Sequence, residues 1–268
     1  MRRGGSKGHL DDPARGAALS ETIQSKPALH AWYHEMYERY ADCLARASAD
    51  GIALELGSGG GFARDVVPDL VTSDVLPYEQ VDEVVDATAM PFADGALRFI
   101  GMLNVFHHIP DAAAFLGEAE RCLASGGRML IIDQHRGLIS TPVLRYGHHE
   151  PFRTDAPDWR FDATGPLSDA NGALAWIVFQ RDRERLARDH PELELVRYAP
   201  HSPLRYWLAG GLKHWSLIGR RGFGGASVVD RGLIGISQAL GSFVDIEIVR
   251  SERASQEVDQ AGGHSTLT

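Results

Sequence analysis

Between Ile52 and Asp133 short apolar runs alternate with segments of helical period, and this alternation limits the fold more than any other feature of the chain. Ile52 to Leu56, Leu70 to Val75 and Leu97 to Val105 read as buried strands, with a short one at Glu83 to Asp86 and a fifth at Met129 to Asp133. Between the last two lies DAAAFLGEAERCLA, a helix that Asp111 can cap and Gly126-Gly127 can close. Strands buried on both faces and joined through helices pair in parallel, so an α/β sheet covered on both sides is expected. In such sheets a ligand sits beyond the carboxyl ends of the strands.

The flanks extend the pattern. Leu29, Trp32, Tyr33, Met36, Tyr37, Tyr40 and Leu44 form one apolar stripe, which predicts a helix from Pro27 with Ser25 as its cap. Helices are expected over 173–189, 204–217 and 228–240, and strands over 193–198 and 243–249, giving seven strands in all. Residues 1–20 and 251–268 are polar and without periodicity, and are expected to be disordered ends around a single domain of residues 21–250. Two stretches, 136–170 and 200–225, interrupt the pattern and are expected to act as lids that encode the substrate.

Composition removes several function classes. The formal net charge is −9, where binding to nucleic acid usually needs a basic face, so no nucleic-acid partner is expected. No apolar run approaches the roughly 18 residues of a membrane span, and the N-terminus MRRGGSKGHLDD has no apolar core of a signal peptide. A cytoplasmic protein is the expectation. Cys43 and Cys122 both fall in expected helices and read as core thiols, not as a disulfide or metal site. The oligomeric state is not legible.

The chemistry lies in ALELGSGGGFARDVV, from Ala53: a strand, four glycines in five positions, and a helix. Such a turn lets a ligand approach backbone N–H groups. The dinucleotide pattern G-x-G-x-x-G fails twice, at Phe62 and at Arg64. Glu55, just before the turn, would repel a pyrophosphate but favour a cationic ligand.

With ELGSGGG from Glu55, SDV around Asp74, DATAMPFADGAL from Asp86, NVFHHIPD from Asn104 and LASGGRMLIID from Leu123, the chain resembles the class I (seven-strand) S-adenosylmethionine-dependent methyltransferases, in the type 11 branch related to ubiquinone and menaquinone methyltransferases. The resemblance covers about residues 50 to 135. It departs at Arg98-Phe99 and at Ser125, where the family often has Phe-Asp and Pro. It implies a Rossmann-like, mostly parallel seven-stranded sheet whose last strand is antiparallel, and S-adenosyl-L-methionine as cofactor. It implies that Gly57, Gly59 and Gly61 form the turn under the methionine part and that Glu55 fixes that turn from below. Asp74 would accept from the ribose hydroxyls, and Asp86 and Ala87 would meet the adenine edge, with Met90 and Phe92 near the base. Asn104 would lie by the methionine end, and Ser58 and Val75 complete the set. His107 would face the transferred methyl.

A base for the acceptor's proton is expected in RYGHHEPFR, at His149 or His148, with His107 and His135 as alternatives. A metal at His148, His149 and Glu150 lacks the spacing of a zinc motif, so no metal is expected. The acceptor is expected to be a small molecule methylated on oxygen: a natural product, glycan or lipid-like compound. Alternatives are a C-methyltransferase acting on a prenylated ring or other carbon acid and a catalytically silent S-adenosylmethionine-binding protein that serves a partner. LRYWLAGGLKHWSLIGRR, from Leu204, has the composition of an interfacial helix, so contact with a membrane surface or a lipid-linked substrate is a further expectation.

Overall fold

The computed structural model describes residues 12, 15–147, 150–165 and 167–251. The helices are α1 (Arg15–Ser25), α2 (Pro27–Leu44), α3 (Ala63–Val66), α4 (Ala112–Cys122), α5 (Ser140–Tyr146), α6 (Leu174–Trp176), α7 (Arg183–Asp189), α8 (Arg205–Leu208) and α9 (Arg220–Ile236). The strands are β1 (Ile52–Leu56), β2 (Leu70–Asp74), β3 (Glu83–Val84), β4 (Leu97–Leu103), β5 (Leu123–Gln134), β6 (Leu193–His201) and β7 (Phe243–Arg250). They form one seven-stranded sheet in the order β3-β2-β1-β4-β5-β7-β6. The run from β3 to β5 is parallel, while β7 lies antiparallel to both β5 and β6. The expected α/β sheet with an antiparallel last strand is therefore the observed one.

Strand side chains alternate between two buried faces, as the period of two requires. Phe99, Leu130, Ile132 and Phe243 point into the layer under α2, against Trp32, Met36 and Tyr40. Ile100, Met129, Ile131 and Ile246 point into the opposite layer, against Phe115, Leu116 and Ala119 of α4. Cys43 and Cys122 are buried free thiols.

Several expectations need correction. Residues up to 20 were expected to be without structure, but α1 begins at Arg15 and buries Gly16 and Ile23, so ordered chain starts before the expected boundary at residue 21. Ser25 ends α1 instead of capping α2. The cap position is Lys26, which makes no side-chain cap bond; its ammonium donates to the carbonyls of Gly211 (2.5 Å) and Lys213 (3.0 Å). Gly126-Gly127 does not close α4, because β5 follows directly from Leu123. The helix expected over 173–189 is broken by a π turn at Ile177–Arg181. The one expected over 204–217 stops at Leu208, since Gly210 and Gly211 take positive φ (80° and 50°), so no continuous interfacial helix forms there. Among the described residues no helix is long and apolar enough to cross a membrane.

Candidate active site

Five parallel strands bring their carboxyl ends to one edge, and the turns leaving β1, β2 and β4 meet there. The β1 turn is held by its own polar groups. The Ser58 hydroxyl donates to Glu55 Oε2 (2.7 Å), and the Gly59 N–H donates to Asp74 Oδ2 (3.0 Å), which ties the turn to the end of β2. Asp74 Oδ1 accepts from the Leu76 N–H (3.0 Å). Asp86, two residues past β3, accepts at Oδ1 from the N–H and the hydroxyl of Thr88. Asn104, at positive φ (58°), donates its N–H to the Ile132 carbonyl of β5.

Glycine is demanded here by space as well as by angle. A Cβ on Gly57, at φ +72°, would fall 2.3 Å from Val105 Cγ2. One on Gly61 would fall 2.2 Å from the Tyr37 hydroxyl, and one on Gly60 would fall 2.3 Å from the Ser20 nitrogen. Gly60 carries no role in the sequence reading, because Leu19 and Ser20 of α1, which cross it, lie outside the expected domain.

These groups line one cavity of about 880 Å³. Of the cofactor residues expected from sequence, Glu55, Gly57, Ser58, Gly59, Gly61, Asp74, Val75, Asp86, Ala87 and Asn104 stand on its wall. Met90 and Phe92 do not; Met90 is buried in the core and Phe92 packs against it. The lining groups fit S-adenosylmethionine: the carboxylates of Asp74 and Asp86 are the acceptors that ribose hydroxyls and an adenine amino group need, and the close-packed turn beside Glu55 suits a cationic methionine end. The volume falls within the roughly 300–1,000 Å³ of small-molecule sites.

Buried carboxylates at this wall are hard to ionise. Burial pushes Glu55 up to about 7, opposed by the Ser58 hydroxyl and reinforced by Asp74. Burial also raises Asp74, against the N–H groups of Leu76 and Gly59.

The same cavity continues past the expected cofactor wall to His108, Val143, Glu150, Tyr206, Trp207, Leu212 and Trp215. Here β4 and β5 deliver a second polar cluster. A 3₁₀ turn, Phe106–His108, follows β4, and Asp133 is the last residue but one of β5. The His107 N–H donates to Asp133 Oδ2 (3.1 Å), and its ring Nδ1 lies 2.6 Å from Asp133 Oδ1. His107 Nε2 lies 3.5 Å from Glu150 Oε2, and His108 Nε2 lies 3.6 Å from Glu150 Oε1. Burial alone would lower His107, but the carboxylates of Asp133 and Glu150 outweigh it and push the ring up to about 10. Burial and the neighbouring His107 hold His108 down at about 4, so its contact with Glu150 is not an ion pair at neutral pH.

His107 was expected to face the methyl; the structure instead buries it behind the wall, which is formed by His108 and Glu150. His135 is held at about 4 by burial, His201 and Arg136, with its Nδ1 3.1 Å from the Tyr198 hydroxyl and away from the cavity wall. His148 and His149 lie outside the described residues. The HH pair after β4 and the HHE triplet after α5 are both visible in the sequence; that His107, His108 and Glu150 converge is not.

A family model described as "Methyltransferase domain" matches residues 32–181, more than half of the chain. Tocopherol O-methyltransferase of Arabidopsis thaliana chloroplasts is 35% identical over 71 residues, which is 26% of this chain and 20% of that protein. The chain thus spans about a fifth of the length of the curated relative it matches. Among solved structures, the geranyl diphosphate C-methyltransferase of Streptomyces coelicolor A3(2), complexed with Mg²⁺, geranyl diphosphate and S-adenosyl-L-homocysteine, superposes with a TM-score of 0.50 at 19% identity, covering 91% of this chain and 87% of that one. A geranyl diphosphate methyltransferase in complex with SAM gives 0.50 at 17% identity, covering 91% and 94%.

Proposed function

The chain belongs to the methyltransferase domain family, and from that premise we propose that it is an S-adenosylmethionine-dependent methyltransferase acting on an oxygen of a small, partly apolar molecule. One observation carries this reading. The glycine turn, Asp74 and Asp86 share a single cavity with an apolar wall that ends in a His–Glu cluster. When bound, S-adenosylmethionine supplies a methyl on a sulfonium whose leaving group is a neutral thioether. The protein's part is orientation and a dry site. Asp74 and Asp86 accept from the nucleoside, and the Glu55 turn fixes the methionine end. Tyr206, Trp207, Leu212 and Trp215 give the acceptor an apolar bed, and Leu212 and Trp215 are also exposed, so this bed reaches the cavity mouth. His108 and Glu150 stand where the acceptor's polar end would lie, and the base expected from sequence, His149 or His148, is the candidate for removing its proton. In-line alignment alone can contribute on the order of 7 kcal/mol.

The apolar bed also suits a prenylated acceptor methylated on carbon. Incubation of the purified protein with methyl-labelled S-adenosylmethionine and fractionated small molecules tests the reading. Label transferred to an acceptor, with S-adenosylhomocysteine released in proportion, supports it, and the labelled atom separates O- from C-methylation. Tight nucleoside binding with no acceptor-dependent release across fractions would favour the silent binding protein.

A further inference from the structure

We infer that His107, His108 and Glu150 form a binding site for a divalent transition-metal cation of the zinc type, whose open coordination position faces the acceptor end of the cavity. Three potential ligand atoms, one from each residue, lie within 4.8 Å of one another. The two nitrogen-to-carboxylate separations are 3.5 and 3.6 Å. Ligands held about 2.0–2.1 Å from a tetrahedral ion stand roughly 3.3 Å apart, so the two nitrogen-to-carboxylate separations are already close to that spacing, and the three ligand atoms together, within 4.8 Å, would draw in around the ion.

Each imidazole is oriented for this task by a partner on its other nitrogen. His107 Nδ1 faces Asp133 Oδ1 at 2.6 Å, and His108 Nδ1 faces the Asp169 carbonyl at 3.3 Å. Both partners are acceptors only, so each ring holds a proton on Nδ1 and turns Nε2 toward Glu150; His107, which the carboxylates keep protonated, would give up its Nε2 proton to the ion. Carboxylate-oriented histidine is the arrangement that fixes tautomer and direction at metal sites. Gln134 Nε2 lies 3.4 Å from His107 Nε2, a long contact that an ion would displace.

The donor set selects the ion. Two imidazoles and a carboxylate suit zinc over magnesium or calcium, and two His with one Glu is a three-ligand set that leaves a fourth position open. His108 and Glu150 line the cavity, so that position opens toward the acceptor. The site therefore favours acceptors that present an oxygen donor, such as a hydroxyl or enol, beside the atom to be methylated. This rests on the methyltransferase reading and deepens it. The sequence hides the site because its ligands come from a 3₁₀ turn and from a loop some forty positions later, with no short zinc spacing.

The test uses tag-free full chain stripped with EDTA and titrated with ZnCl₂ against a chromogenic chelator, with bound metal counted after desalting. One Zn²⁺ per chain is expected. Glu150→Gln and His108→Ala should each weaken it by roughly 10-fold or more, the scale on which metal sites respond to lost ligands and partners. S-adenosylhomocysteine binding is measured on the same samples and should persist in both variants, showing that the pocket is folded. Absence of zinc binding, or zinc that both variants bind as wild type does, would overturn the site. Nucleoside binding retained in that case leaves the methyltransferase reading standing; wild-type protein that binds no nucleoside would sink that reading instead.

Discussion

At the scale of single residues, the glycine turn sets the sharpest requirements. Gly57 and Gly59 both take positive φ, but only Gly57 also faces a wall: its Cβ would fall 2.3 Å from Val105, whereas the nearest atom to a Cβ on Gly59 is 4.0 Å away. The left-handed conformation alone costs about 1–2 kcal/mol for a side-chain residue. Gly57→Ala should therefore lower the unfolding midpoint more than Gly59→Ala, and should weaken nucleoside binding more; equal losses would mean that Val105 yields. Glu55 gives a pH signature. Its folded pKa is about 7 against an ordinary 4.5, so the native state holds the proton where the unfolded chain has lost it. Stability then falls as pH rises from 4.5 to 7, and the full cost is present above 7. At 1.36 kcal/mol per unit that cost is about 3 kcal/mol. Glu55→Gln, which cannot ionise, should gain on wild type by up to that amount between pH 4.5 and 8 in urea unfolding without ligand. A constant difference across that range would show that Glu55 titrates normally.

Elements show where sequence was legible and where it was not. Periodicity located the strands and α2 because both faces of the sheet are buried, and burial writes its period directly into residue choice. The cap at Asp111 was legible too: its carboxylate accepts from the Ala114 N–H at 3.1 Å. Asp111→Ala should cost about 1 kcal/mol of stability, read by thermal or chemical unfolding; a neutral result would show that α4 is held by packing alone. Helix α1 was missed because its apolar content is slight and its two buried residues are covered by distant parts of the chain: Gly16 faces Tyr78 and Gln80, and Ile23 joins the core under α2. The broken helices at 174–189 and 205–208 were missed because apolar composition reports burial and not continuity. Gly210 and Gly211 could have signalled the second break, since paired glycines end helices readily.

At the scale of the whole molecule, the parallel order of β1, β2 and β4 places Glu55, Asp74 and Asn104 on one edge, although they are far apart in the chain. The glycine-turn half of the candidate site could be placed from sequence because its residues sit in local motifs fixed to strand ends. The acceptor half could not, since His107 meets Asp133 only through the pairing of β4 with β5, and Glu150 arrives from a loop whose path no period predicts. The central claim is that the edge around the glycine turn binds the nucleoside. Calorimetric titration of S-adenosylhomocysteine into wild type, Asp74→Ala and Asp86→Ala tests it most directly. One site in wild type is predicted, with each variant weaker by about 1–3 kcal/mol as a hydroxyl or amino donor loses its acceptor. The larger loss should fall on Asp74, which also holds the Gly59 N–H. Wild-type affinity in both variants would contradict the assignment and place the nucleoside elsewhere.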